Sequence, residues 1–90
     1  MCTSIVEIVR AEGAGKSEEG WFHLTGAVVS YDHPHHALLD EAITIDFVNA
    51  NLGPGARAAV EITIDSAKAL AAALARAIAA AEEMESLRGQ

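Results

Sequence analysis

Tyr31-Asp32-His33-Pro34-His35-His36 places three of the chain's four histidines, a carboxylate and a phenol within six residues. Such groups bind divalent transition metals, pass protons and respond to pH near neutrality. Pro34 disfavours helical geometry at His33, so the segment is extended or turning. In an extended segment His33 and His35 project to one side and His36 to the other. Two imidazoles are half of a tetrahedral site for zinc, and copper or nickel would also accept them. Further ligands would have to come from Cys2, Asp46, His23 or another copy of the chain. His23 lies ten residues before His33, a straight-strand separation of ~33 Å, so only a bend at Gly26 or a partner chain brings the two together.

The same residues support two other readings. In an acid–base site, Asp32 orients His33 as a general base and Tyr31 donates a hydrogen bond to the substrate. In a plain turn, Asp32 accepts backbone hydrogen bonds, Pro34 stiffens the chain, and His35 and His36 face water; His33 then makes a structural hydrogen bond. Cys2 is either a metal ligand or a small buried residue at the start of a strand. Trp21 and Phe22 are either a stacking platform for a ligand or core. Asp46, beside Thr44, lines a polar pocket or sits on a solvated sheet face.

These residues must be carried by a scaffold, and its elements are legible. Residues 3–11 are short and β-branched, which predicts a strand. Residues 11–20 (AEGAGKSEEG) carry three glycines and several charges, which predicts a surface loop. A second strand is expected from Trp21 to Tyr31, with Gly26 as a bulge or a point of close backbone approach. Ile43, Ile45 and Phe47 alternate with Thr44 and Asp46, the period of a half-buried third strand. Residues 49–56 (NANLGPGA) form a turn around Pro54, and a fourth strand follows with Ala58, Val60 and Ile62 on one side. From Ser66 to Leu87 the period becomes helical, with Leu70, Leu74, Ile78 and Ala81 on one stripe extended by Ala67, Ala71 and Met84 or Leu87. Thr63 or Asp65 would cap that helix.

The expected fold is therefore α+β in a single domain, residues 1–90. A four-stranded, mainly antiparallel sheet over residues 3–64 carries one alanine-rich C-terminal helix, residues 66–87, packed on one face. The first two strands hold apolar residues at both parities, Ile5 and Val9 against Val6 and Ile8, so both faces ask for cover. One helix covers only one face.

Composition sharpens that point. A 90-residue chain buries only ~60–65% of its unfolded surface, and 19 of its apolar residues are alanine. A single cysteine excludes an internal disulfide. Self-association into a homodimer is the expected remedy. The net charge of −7, with six Lys and Arg, lacks the basic footprint that nucleic acid or an anionic membrane needs. No apolar run approaches ~20 residues, and a soluble cytoplasmic protein is expected.

The set of motifs MCT…IVE, Gly20-Trp21-Phe22, Tyr31-Asp32-His33-Pro34, Ile45-Asp46-Phe47 and Gly53-Pro54-Gly55-Ala56-Arg57 resembles a family of small bacterial proteins of unknown function. The resemblance spans nearly the whole chain and implies a bacterial, stand-alone domain. It adds weight to Cys2, Asp32 and His33 as motif positions and brings no activity with it. Two functional classes follow. One is a small domain binding a metal or small ligand through a His/Asp site, with acid–base catalysis as its extension and a divalent transition metal as its cofactor. The other is a non-catalytic homo-oligomeric interaction module whose surface histidines are incidental.

Overall fold

The computed structural model describes residues 5–32 and 41–89. The chain runs β1 (Ile5–Ser17), β2 (Gly20–Asp32), β3 (Ala42–Val48), a 3₁₀ turn (Ala50–Leu52), β4 (Arg57–Ile62) and α1 (Ile64–Arg88). The strands form one antiparallel meander in the order β1-β2-β3-β4, so the expected α+β class with a C-terminal helix is what folds.

The expected loop at residues 11–20 is instead the end of a long hairpin. β1 continues to Ser17 and pairs with β2 through to Ser17↔Gly20. Of the glycines that suggest a loop, Gly15 has a packing role here. A Cβ on Gly15 would lie 3.0 Å from Leu24 Cδ2 and 3.2 Å from Phe22 Cζ, so those two side chains occupy its place. Ser17 closes the turn: its hydroxyl accepts from the Glu19 amide (3.2 Å) and donates to the Gly20 carbonyl (3.2 Å).

The hairpin carries one irregularity. Between Arg10↔Gly26 and Gly13↔Leu24, β1 advances by one residue more than β2. That is a bulge on β1, with Gly13 at φ 150° absorbing the distortion. Gly26 opposite is the close-approach point, since a Cβ there would meet the Val9 carbonyl oxygen at 3.0 Å. Bulges bend and over-twist a sheet. Beyond this one, β2 has left β3, whose pairing covers only Gly26–Asp32, and the hairpin end leans toward the β3–β4 connection.

Asn49 fixes that contact. It is the buried polar residue among those described. Its amide Nδ2 donates to the His23 carbonyl (2.9 Å), and its Oδ1 accepts from the Asn51 amide (2.9 Å) as N-cap of the 3₁₀ turn. The backbone amide of Asn49 also donates to the Ala56 carbonyl (3.2 Å). Leu24 and Ala56 are buried nearby, and Phe22 is half-buried.

The helix is joined to β4 by Thr63 alone. Thr63 is extended (φ −69°, ψ 161°), and its hydroxyl oxygen accepts from the Ser66 amide (3.0 Å), the N-cap geometry expected of a threonine. Ala67 is half-buried; every other residue of α1 is exposed. The helix thus meets the sheet near its start, beside β3, and the rest of its ~37 Å length stands clear. No helix among the described residues is long and apolar enough to cross a membrane.

Candidate functional site

Directly opposite residues of an antiparallel sheet share a face, so the register sorts every side chain. On one face the first row reads Ile5, Tyr31, Ile43, Ile62. The second is Glu7, Val29, Ile45, Val60, and the third Val9, Ala27, Phe47, Ala58. Glu7, on the edge strand, is the lone charge among twelve positions. The other face is mixed. Ser30 and Thr44 share a hydroxyl–hydroxyl hydrogen bond, Arg57 pairs with Asp46 (2.7 Å), and Arg10 and Glu61 lie in the same rows.

Among the described residues none of the large side chains on the apolar face is buried. Ile5 is 58% exposed and Val60 47%, while Ile43, Ile45 and Val29 on the central strands are half-buried only by their neighbours. The apolar stripe of α1 is equally bare, with Leu74 at 59% exposure and Leu70, Ile78 and Met84 close to it. Asp65, Lys68, Arg76 and Glu83 lie on the opposite side of that helix, as 100° per residue requires. The sheet face and the helix stripe are both apolar surfaces whose large side chains stay exposed or half-buried among the described residues. Contiguous exposed apolar area on this scale marks an interaction surface.

Of the described residues singled out for chemistry, Tyr31 lies on the apolar face and the others lie elsewhere. His33, His35, His36 and Cys2 lie outside the described residues. Tyr31 and Asp32 are successive residues at the end of β2, and alternation sends the Tyr31 phenol to the apolar face and the Asp32 carboxylate to the other. Asp46 lies on the mixed face, where it accepts from Arg57 Nε (2.8 Å). Trp21 is not core: it is 71% exposed at the hairpin end. It lips a cleft of about 240 Å³ shared with Phe22, Leu52 and Ala56. That is below the ~300–1,000 Å³ of small-molecule sites. Tyr31, Asp32, Asp46 and Trp21 therefore do not converge on one cavity. Among the described residues no three His, Cys, Asp or Glu side chains are grouped to hold a metal ion.

What residue-type reasoning missed is the asymmetry between the two faces of the sheet. Parity within β1 and β2 spreads apolar residues over both faces. The asymmetry emerges only across four strands, when Ile43, Ile45 and Phe47 of β3 align with Val60 and Ile62 of β4.

A model of a family of unknown function (DUF6295) matches residues 1–87, and the chain belongs to that family. No curated protein and no solved structure matches it.

Proposed function

We propose that this family member is a non-catalytic homo-oligomeric interaction module, a homodimer whose working surface is the apolar sheet face together with the stripe of α1. One observation carries the reading: eleven aliphatic or aromatic side chains share one sheet face with a single carboxylate, and none of the large ones is buried among the described residues. Burying apolar surface contributes ~25 cal/mol per Å², so a face of this size exposed to water is a strong drive to associate. The mixed face, with its Ser30–Thr44 and Arg57–Asp46 contacts, remains the solvent side. The net charge of −7 keeps assembled particles apart in solution.

Multi-angle light scattering on untagged protein at micromolar concentration tests the reading. A mass of twice 9.4 kDa or a higher multiple is expected. A stable single-chain mass across that range would end it.

A further inference from the structure

We infer that two copies of the chain exchange helices: the apolar stripe of α1 from one copy lies on the apolar sheet face of the other, reciprocally about a two-fold axis. This rests on the self-association proposed above and says which surface meets which. Three observations point to it.

The first is the connection between β4 and α1. A helix that returns across its own sheet needs a βα loop of ~2–6 residues to reverse the chain. Here Thr63 is the whole loop, extended and already committed as the helix cap. A one-residue connection leaves the helix little slack with which to turn back. Beyond Ala67, which meets its own sheet, the stripe from Leu70 onward stays exposed and free to reach another.

The second is area. A compact chain of this mass exposes ~5,000 Å², whereas this one exposes 7041 Å². Its radius of gyration is 15.5 Å, against ~12 Å for a compact domain of the same length. The surplus of about 2,000 Å² per chain exceeds the ~800 Å² per partner of an ordinary interface. It matches an obligate one, in which protomers complete each other's core.

The third is the balance of surfaces. Sheet-to-sheet pairing would leave two helix stripes bare, and helix-to-helix pairing would leave two sheet faces bare. Helix on sheet, made twice, covers all four with one isologous contact. The side chains also fit. The sheet face presents Ile43, Ile45 and Phe47 at its centre, and the stripe flanks Leu70, Leu74 and Ile78 with small Ala67 and Ala81, so the backbone of the helix can come close at either end. From Ala67 to Met84 the stripe is ~26 Å long, against ~14 Å across four strands. That length lets it span the partner's face and still begin on its own β4.

Disulfide trapping in the full-length chain tests the arrangement. In a Cys2→Ser background, Ile45→Cys and Leu74→Cys are prepared separately, one carrying a small mass tag, then refolded together and mildly oxidised. The Ile45→Cys to Leu74→Cys heterodisulfide is expected to dominate both homodisulfides several-fold. Dominant trapping between two Leu74→Cys chains would show helices pairing with each other, and between two Ile45→Cys chains sheets pairing. Either result, or no trapping in a dimer, overturns the exchange while leaving self-association intact. A single-chain mass for the Cys2→Ser protein overturns both. Circular dichroism checks that each variant folds, and Val60→Cys with Ile78→Cys provides a second pair on the same two surfaces.

Discussion

The curled hairpin end and the open sheet face are built from neighbouring stretches of the same strands, yet they solve the burial problem in opposite ways. At the hairpin end the chain completes itself. Asn49 ties the β3–β4 connection to His23 of β2, Leu24 and Ala56 are buried, and Gly15 leaves space for Phe22 and Leu24. On the apolar face nothing is completed: Ile5, Val9, Phe47 and Val60 remain exposed. The difference teaches where this fold ends. One end is stabilised by contacts within one chain, and the rest is an apolar face that, in the arrangement proposed above, a second copy would complete. Stability of the first region should be independent of concentration, and that of the second should follow mass action.

Substitutions that separate the two regions follow from this contrast. The largest effect is expected from Phe47→Glu at the middle of the apolar face. A charge buried in the contact should weaken association about thirtyfold or more, as central hot-spot losses of ~2 kcal/mol and above do. Sedimentation over a dilution series reads it, and an unchanged mass distribution would remove Phe47 from the interface.

Next is Asn49→Ala, which breaks the clasp at the self-sufficient end. It leaves the His23 carbonyl and the Asn51 amide without their partner, at a loss of ~1–3 kcal/mol for the two hydrogen bonds. Denaturant unfolding should show that loss equally at low and high protein concentration. A loss that vanishes on concentrating the protein would mean that the hairpin end is also an interface.

Thr63→Ala should come third, at ~1 kcal/mol, through loss of the helix cap. Because Thr63 also sets the direction of α1, the substitution should loosen association as well as lower helix content, and thermal melting by circular dichroism at two concentrations measures both. A concentration-independent shift would confine Thr63 to capping. The smallest effect belongs to Asp46→Asn. Its partner Arg57 is more than half exposed, and exposed pairs are worth ~0–1 kcal/mol. A larger loss, or any loss of association, would show that the mixed face does more than meet solvent.

Much of the architecture was legible beforehand, for reasons particular residues make plain. The alternation of Ile43, Ile45 and Phe47 identifies β3 because side chains of a strand repeat every two residues. The stripe from Ala67 to Met84 identifies α1 because a helix repeats every 3.6. Thr63 or Asp65 reads as the cap from its place before a run of helix formers, and the structure makes it Thr63. Ala11–Gly20 misleads because glycine and charge signal a loop when taken locally, while here Gly15 accommodates Leu24 and Phe22 from the opposite strand. Trp21 misleads for a similar reason: ring size argues for burial, but the hairpin end has only enough neighbouring chain to bury Leu24.

Tyr31, Asp32, Trp21 and Asp46 are spread over different parts of the sheet, and the histidines and Cys2 at the centre of the candidate site lie outside the described residues. Closeness in sequence says nothing about a shared face, and at Tyr31 and Asp32 it guarantees the opposite. By itself the sequence determined the elements, their order, the family and the acidic charge, because periodicity, capping and composition act over a few residues. Only the tertiary structure decided which strand residues align, that the hairpin bends onto Asn49, and that α1 departs from its own sheet. Those depend on cross-strand register, on one extra residue at a bulge and on a one-residue connection, and each takes its meaning from what the rest of the chain places beside it.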